Sequence, residues 1–189
     1  PALAPLADNG GPNRTHALLP LGPAIDFATT STTTTDQRGE ARPSGPARDS
    51  GAYERRIIAY SVWADDRLSG FNANQRQQDD DPDLDGIPNG IEYLQGTAPA
   101  AHNTALDRIE FENGTTYYSF TLAHEANING IGAYYAESID LVGWGYIPLN
   151  HQVIGAYQSQ NATRARYRLP ISTAGRPKLF FRLVTGHTG

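Results

Sequence analysis

One acidic stretch, residues 81–92, places oxygen-bearing groups at the spacing that a hard cation requires. A cation such as Ca²⁺ takes six to eight oxygen ligands at about 2.3–2.6 Å, so its loop must gather carboxylates while turning sharply. Gly86 supplies the turn at the sixth position of the stretch. The pattern predicts calcium ligands at positions one, three, five, seven, nine and twelve, which are Asp81, Asp83, Asp85, Ile87 through its carbonyl, Asn89 and Glu92.

The alternative interpretation of these residues is a solvated acidic linker, because runs of like charge usually remain exposed. Asp79 and Asp80 extend the run, and without a cation each close pair of carboxylates would repel by about 1 kcal/mol or more. Gly86, Asn89 and Glu92 stand at the required offsets, which favours the calcium loop. At about a tenfold excess of calcium over the Kd, such a loop would add about 1.4 kcal/mol to stability, so we expect a structural ion.

No other group of residues in the sequence marks a reaction. His124 and Glu125 begin like a zinc-protease motif, but Ile128 stands where the second histidine would be, and we expect an exposed hairpin pair. The sequence has no G-x-S-x-G elbow, P-loop or Rossmann glycine pattern. It has no cysteine either, which excludes a thiolate metal site or a cysteine nucleophile. We therefore predict that the protein is not an enzyme.

Aromatic residues of the C-terminal half form the second candidate site. Tyr134, Trp144 and Tyr146 are candidates for contact with a ligand or a surface, such as a platform on which sugar rings stack. The alternative is that these rings pack in the core or across neighbouring strands. The sequence leaves both interpretations open.

The elements that must position these residues are short strands and turns. Asn113-Gly114 predicts a tight hairpin, and the alternation of Arg166 and Arg168 with apolar residues predicts one wet and one buried sheet face. Together the strands predict an antiparallel β-sandwich over residues 100–189. The runs typical of strands are 108–112, 115–122, 133–139, 151–157, 164–171 and 178–184.

Upstream of the strands, residues 57–99 form a predicted module of a short helix and the calcium loop. Residues 57–69 place Ile58, Val62 and Trp63 at helical spacing, which predicts an amphipathic helix with those residues on its apolar side. The polar side of the predicted helix carries Asp65, Asp66 and Arg67.

Residues 1–56 combine glycine and proline punctuation with recurring short apolar islands, such as Leu18-Leu19. The islands favour an ordered, irregular, solenoid-like arm in which each turn contributes one short strand, and a disordered linker is the alternative. With 19 Gly and 13 Pro in the chain, turns and strands should outnumber long helices. The predicted fold is mainly β in three parts, residues 1–56, 57–99 and 100–189.

Two of these parts resemble segments of exported bacterial surface proteins. Residues 6–12 (LADNGGP) and 51–54 (GAYE) resemble the closing turns of right-handed parallel β-helices. Residues 81–93 (DPDLDGIPNGIEY) resemble the calcium loops of dockerins and thrombospondin type 3 repeats. Residues 60–99 resemble the module that precedes a C-terminal β-domain in exported bacterial proteins, a pattern that often has Gly where Leu84 stands. The resemblance implies a solenoid end followed by a calcium-binding module.

The C-terminal part resembles the terminal β-domain of exported proteins from Verrucomicrobia, Planctomycetes and related bacteria. The matching residues are 134–141 (YYAESIDL) with Trp144, and 180–183 (FFRL). In such proteins this domain is an accessory module with no known catalysis. The resemblance implies an extracellular or cell-surface location.

Net charge and hydropathy limit the kinds of partner that the protein is expected to bind. A net charge of −5 with scattered arginines argues against nucleic-acid binding. No apolar run approaches the roughly 18 residues that a membrane-spanning helix needs. We expect an extracellular, calcium-stabilised structural protein that assembles with copies of itself into a surface filament or adheres to cell-surface components. The alternative is a carbohydrate- or surface-binding accessory module cut from a larger exported adhesin or enzyme.

Overall fold

The computed structural model is mainly β, with nine short strands and two short α-helices among the residues it describes. The strands form three small antiparallel sheets. In the part of the chain that is described, no helix is long and apolar enough to cross a membrane. The described residues are 2–104, 106–124, 132–148, 157–159, 164–172, 174–175 and 178–186.

The N-terminal region begins with a hairpin and continues without further helix or strand to residue 59. Strand β1 (Leu3–Ala7) pairs antiparallel with β2 (Thr15–Leu18). Downstream, loop-to-loop bonds replace a regular sheet. The Ala28 N–H donates to the Arg48 carbonyl at 2.8 Å, for example. The segment is therefore ordered by scattered backbone pairs and by buried side chains.

Helix α1 (Tyr60–Arg67) confirms the predicted helix but presents a different face. Its buried residues are Tyr60, Trp63 and Ala64, at the i, i+3, i+4 spacing of one helical stripe. Val62 is 61% exposed, so its predicted place on the apolar side is wrong. Tyr60 takes the buried place because its ring packs inside while its hydroxyl donates to the Arg76 carbonyl at 3.0 Å.

Helix α2 (Asn89–Gln95) follows the acidic stretch, and all seven of its residues are buried. It approaches the last strand so closely that a Cβ built on Gly90 would lie 2.6 Å from the Thr185 Oγ1. A larger residue at position 90 would therefore force the Thr185 side chain to shift. A short 3-10 turn (Ala73–Gln75) precedes the acidic stretch.

The remaining strands form a four-stranded and a three-stranded antiparallel sheet, with orders β3-β4-β8-β7 and β6-β5-β9. Five of the six predicted strands lie within two residues of an observed strand or coincide with it. The sixth, at 151–157, falls outside the described residues except for its last residue, and the sequence did not predict β6. In chain order the strands are β3 (Arg108–Glu112), β4 (Thr115–Leu122), β5 (Gly132–Ser138), β6 (Gly145–Pro148), β7 (Tyr157–Ser159), β8 (Ala165–Ile171) and β9 (Phe180–Gly186).

The alternation predicted for β8 is confirmed. Ala165, Tyr167 and Leu169 are buried, whereas Arg166 and Arg168 lie on the opposite, partly exposed face. The period of two along a strand therefore separates an apolar face from a charged one.

Aromatic side chains join the two larger sheets. Tyr118 of β4 lies 5.5 Å from Tyr135 of β5 and 5.8 Å from Phe181 of β9, measured between ring centroids. Tyr135 and Phe181 stack at 5.4 Å. The inner faces of the sheets thus contact each other through these three rings.

The core is continuous from the N-terminal hairpin to the sheets. One buried cluster includes Ala17, Trp63 and Phe120, which come from the three predicted parts of the chain. The Arg55 guanidinium donates to the Leu18 carbonyl at 2.8 Å and to the Ala123 carbonyl at 2.6 Å. This buried arginine ties the N-terminal hairpin to the end of β4.

Candidate metal centre

The acidic stretch folds into a tight loop held by its own aspartates. The Gly86 N–H donates to Asp81 Oδ2 at 2.9 Å, and the Ile87 N–H donates to Asp85 Oδ1 at 2.7 Å. The Asp85 N–H donates to Asp83 Oδ1 at 3.3 Å. Short acidic side chains that accept from nearby backbone N–H groups bend the chain in this way. These bonds fix the direction of each carboxylate.

The three aspartates converge as the sequence predicts. One carboxylate oxygen each from Asp81, Asp83 and Asp85 can be chosen so that all three lie within 4.8 Å of one another. Asp81 Oδ1 and Asp83 Oδ2 are buried and have no hydrogen-bond partner among the described residues. In both residues, one oxygen shapes the loop and the other is left free for a ligand.

Helix α2 supplies the two remaining side-chain positions of the pattern. Asn89 and Glu92 are both 0% exposed, and Asn89 Oδ1 and Glu92 Oε2 have no hydrogen-bond partner among the described residues. The Asn89 amide nitrogen donates to the carbonyls of Gln75 and Gln77, each at 3.0 Å. These bonds use the amide nitrogen of Asn89, and its oxygen remains available to accept a hydrogen bond or bind a metal ion.

Electrostatics in the loop are unfavourable without a cation. Burial, together with the charges of Asp83 and Asp85, raises the pKa of Glu92 to about 8. Burial and the charge of Asp85 also raise the pKa of Asp83 above its usual value. Both shifts report carboxylates that lack a positive partner. A divalent cation would favour their charged forms and reverse this effect.

The donor set suits a hard cation. Four buried oxygens lack partners, and leaving such a group unsatisfied costs about 1–3 kcal/mol or more when it is charged. All of the predicted ligands are oxygens in a loop with a flexible turn, which is the environment that Ca²⁺ prefers. Ile87 lies at the turn, where its carbonyl is the predicted seventh-position ligand. The three aspartates can therefore hold a metal ion, and Asn89 and Glu92 lie outside the group of carboxylates whose oxygens come within 4.8 Å of one another.

Leu84 shows why the pattern usually has glycine at this position. Its φ of 62° lies in the left-handed region, and its side chain is 81% exposed. A non-glycine residue in that conformation costs roughly 1 kcal/mol. Gly86 adopts the same region, with φ of 88°, at no steric cost.

Asn103 is a part of this site that the sequence did not predict. Its N–H donates to Asp85 Oδ2 at 2.5 Å, and its amide nitrogen donates to Glu92 Oε1 at 2.8 Å. The same amide reaches the carbonyls of Ala98 and Ala101, both at 2.7 Å. Asn103 thus positions two predicted ligands and links the loop to the segment that leads into β3. It lies outside the twelve-residue pattern, so no spacing rule could find it.

Helix α2 connects the loop to the rest of the molecule through Tyr93. The Tyr93 ring contacts Tyr60 and Trp63 edge-on at 5.6 Å and stacks on His124 at 4.5 Å, between centroids. Its hydroxyl donates to the Ile58 carbonyl at 2.5 Å. The helix that carries Glu92 is therefore the meeting point of α1, the chain before it and the end of β4.

His124 departs from the prediction of an exposed hairpin pair with Glu125. His124 is half-buried against Tyr93, and Glu125 lies outside the described residues. Burial, with the nearby charges of Arg55 and Arg164, lowers the pKa of His124 to about 4. The histidine packs as a neutral ring, because desolvation disfavours its charged form.

The second candidate site, Tyr134, Trp144 and Tyr146, also comes together. The rings of Tyr134 and Tyr146 lie 6.5 Å apart in an edge-on arrangement. The Arg182 guanidinium lies 4.0 Å from the centre of the Trp144 ring and donates to the Tyr146 hydroxyl at 3.4 Å. Tyr134, Tyr146 and Arg182 share the face of the three-stranded sheet opposite Tyr135 and Leu183. The sequence did not predict the part that Arg182 plays here.

Comparisons of the chain with protein-family models, with curated proteins and with solved structures found no match. Function must therefore be inferred from the two candidate sites. The acidic loop is the stronger candidate, because its buried oxygens without hydrogen-bond partners among the described residues would be stabilised by a cation.

Proposed function

We propose that the protein is an extracellular, calcium-stabilised structural protein. The observation that carries this proposal is the convergence of Asp81, Asp83 and Asp85, together with the buried carboxylate of Glu92, whose pKa is raised by burial and by the charges of these aspartates and whose Oε2 has no partner among the described residues. A buried acid in that setting is tolerated when a cation neutralises it. The proposed ligands are Asp81, Asp83, Asp85, the Ile87 carbonyl, Asn89 and Glu92.

In this proposal the ion acts as a brace. Calcium would hold Asp81, Asp83 and Asp85 of the loop against Glu92 of α2. Because Tyr93, the next residue, packs on α1 and on His124, an ordered α2 supports both the N-terminal region and the sheets. Asn103 extends the brace into the segment before β3.

Calorimetric titration of Ca²⁺ into the EDTA-treated protein tests this proposal. We expect one saturable site with a Kd between about 10⁻⁶ and 10⁻³ M, and weaker binding of Mg²⁺. Asp83→Asn should weaken binding at least tenfold, whereas the matched control Asp66→Asn, an exposed aspartate on α1, should not. Absence of saturable calcium binding would overturn the proposal.

We further propose that residues 1–56 form a solenoid-like arm, that residues 100–189 form an antiparallel β-sandwich, and that the protein is a subunit of a surface filament. Leu3 and Leu6 of β1 are exposed, which supports a contact between the arm and a neighbouring subunit. Electron microscopy in calcium should show filaments. Particles no larger than dimers, both in calcium and in EDTA, would contradict the filament.

A second candidate function is a carbohydrate-binding accessory module. The observation that favours it is the grouping of Tyr134, Trp144, Tyr146 and Arg182 on one sheet face, because sugar rings stack on aromatic side chains that have polar groups nearby. A glycan array should then show binding that Tyr146→Ala abolishes and that the control Phe27→Ala, an exposed aromatic elsewhere, leaves intact. A blank array would exclude this function.

A further inference from the structure

Strand β3 lies at one edge of the four-stranded sheet, and among the described residues β4 is its only strand partner. Its apolar residues Ile109 and Phe111 are 52% and 75% exposed. An exposed edge strand presents a row of unpaired N–H and C=O groups to another chain. Apolar side chains on such an edge indicate a surface that another strand covers.

The hairpin turn shows which backbone groups of β3 point outward. Asn113 and Gly114 both have positive φ, 51° and 79°, as in a two-residue type I′ turn. The flanking residues, Glu112 and Thr115, then form a hydrogen-bonded pair, and bonded pairs recur at every second residue. It follows that Arg108, Glu110 and Glu112 bond to β4. Ile109 and Phe111 direct their N–H and C=O groups to the open edge.

We propose that β3 pairs antiparallel with β3 of a second copy of the chain, about a twofold axis at Glu110. Ile109 then exchanges two backbone hydrogen bonds with Phe111 of the second copy. By symmetry Phe111 exchanges two with Ile109 of the second copy, so four backbone hydrogen bonds join the strands. Arg108 faces Glu112 of the second copy, so opposite charges meet on both sides of the axis. The sequence of β3, RIEFE, is therefore complementary to itself.

Charge at the axis permits this arrangement. Glu110 meets its own copy there, but within each chain it already pairs with Arg108 at 2.6 Å and Arg168 at 3.0 Å, with Arg166 at 3.6 Å. Its hydrogen bond from Ser119 and these arginines hold the pKa of Glu110 below its usual range. The carboxylate therefore reaches the axis ionised, with its charge compensated by these arginines.

Other registers that keep Ile109 and Phe111 hydrogen-bonded fit less well. A shift of the partner strand in one direction sets Glu110 against Glu112 of the second copy, which places like charges opposite each other. A shift in the other direction sets Glu110 against Arg108 of the second copy, but it also sets the apolar Phe111 against the carboxylate of Asp107. The register centred on Glu110 is therefore the one in which both Ile109 and Phe111 face an apolar residue of the second copy.

The paired strands would join the two four-stranded sheets into one sheet of eight strands and would cover Ile109 and Phe111. Such a contact uses the same patch on both copies and closes as a dimer. It does not involve the acidic loop, so it should form with or without calcium. The filament proposed above would need a further contact between dimers.

A single cysteine tests the register, because the chain has no cysteine of its own. Across the axis the α-carbons of Glu110 would lie about 4.5 Å apart, as in a non-hydrogen-bonded pair, which is within disulfide range. Glu110→Cys should cross-link into a dimer on mild oxidation. The matched control Glu112→Cys should not, since its α-carbons would be about 13 Å apart.

Sedimentation velocity gives a second test that does not depend on Glu110. Phe111→Lys should sediment as a monomer at concentrations where the wild-type protein is a dimer, in calcium and in EDTA alike. The control Val142→Lys, an exposed aliphatic residue far along the chain, should remain dimeric. A monomeric wild-type protein would overturn the proposal, as would a dimeric Phe111→Lys or equal cross-linking of both cysteine variants. None of these results depends on whether the loop binds calcium.

Discussion

The protein buries carboxylates in two regions and treats them in opposite ways. In the N-terminal region, the chain itself supplies positive and N–H partners to Asp36, Asp49 and Glu54. In the acidic loop, buried oxygens of Asp81, Asp83 and Glu92 have no hydrogen-bond partner among the described residues. The carboxylates of the two regions thus depend on different sources of compensation.

Asp36 and Glu54 illustrate the self-sufficient case. Asp36 accepts from Arg38 Nε at 2.8 Å and from the Glu54 N–H at 2.9 Å. Although burial favours its neutral form, these bonds hold the pKa of Asp36 below its usual value. Glu54 accepts from the Ser44 and Asp49 N–H groups at 2.8 and 3.0 Å, and Arg42 Nε lies 3.3 Å away.

The difference assigns a role to each region. A cluster whose partners are all within the chain stabilises the fold under any ionic condition. A cluster with free oxygens stabilises it only when an external cation is bound, and destabilises it otherwise. Calcium should therefore act on the loop and α2, and leave the N-terminal carboxylates unaffected.

The largest expected effect is on the N-terminal side. Glu54→Ala would leave Arg42 and the Ser44 and Asp49 N–H groups without their buried acceptor, at a cost of about 3–5 kcal/mol. Urea unfolding should show the same loss in calcium and in EDTA. The control Glu40→Ala, an exposed glutamate of the same region, should change the free energy of unfolding by less than about 0.5 kcal/mol. A loss of stability that is seen in calcium but not in EDTA would contradict the proposed difference between the two regions.

Glu92→Gln should differ from Glu54→Ala, because the sign of its effect on the free energy of unfolding should depend on calcium. We expect calcium to bind the variant about 100-fold more weakly. In calcium that saturates the wild type, the variant should therefore be less stable by up to about 2.7 kcal/mol. In EDTA the variant should be as stable as the wild type or more stable, because glutamine avoids the cost of either protonating the Glu92 carboxyl or burying its charge without a cation. Melting curves under both conditions measure this. Equal destabilisation in both would mean that Glu92 acts as an ordinary core residue.

Asn103→Ala sharpens the comparison by testing a residue outside the loop. Removing a side chain that positions ligands typically weakens metal binding 10- to 100-fold, so we expect a loss of about 1.4 kcal/mol or more of calcium affinity. Titration calorimetry measures the loss, with the exposed neighbour His102→Ala as the control. Unchanged affinity would show that Asn103 only orders its own segment.

The smallest effect concerns Asp49, the least compensated acid of the N-terminal cluster. Burial, only partly offset by the Arg55 and Asp26 N–H groups, raises its pKa to about 6 from the usual 3.8. The folded state therefore binds more protons between those values, and this stabilisation is complete below pH 3.8 and lost as the pH rises through about 6. Relative to Asp49→Asn, the wild type should gain on the order of 1 kcal/mol as the pH falls from 6.5 to 4.5. Denaturant unfolding in EDTA at the two pH values checks this, and a relative loss would contradict it.

Local patterns explain what the sequence could predict. Asn113-Gly114 specifies its own turn, so β3 and β4 were predicted with the observed bounds. The loop was predicted for the same reason, since its three aspartates and Gly86 lie within six residues. In both places the information is contained in a short stretch of chain.

Long-range contacts explain what was missed. Asn103 reaches Glu92 and Asp85 across 11 and 18 residues, and no pattern in the sequence links them. Helix α2 is buried on every side, so it has no amphipathic period to reveal it. Val62 was predicted on the buried side of α1 because it is apolar. In the structure Tyr60 lies on that side and Val62 is exposed.

Hydrogen exchange measured by mass spectrometry, in calcium and in EDTA, tests the central claim in both regions at once. Calcium should slow the exchange of the amides of α2 and of residues 97–104, because it completes the loop that Glu92 and Asn103 share. The amides around Asp36 and Glu54 should exchange at the same rate in both conditions. Equal exchange of α2 with and without calcium, or protection confined to the N-terminal region, would contradict the account.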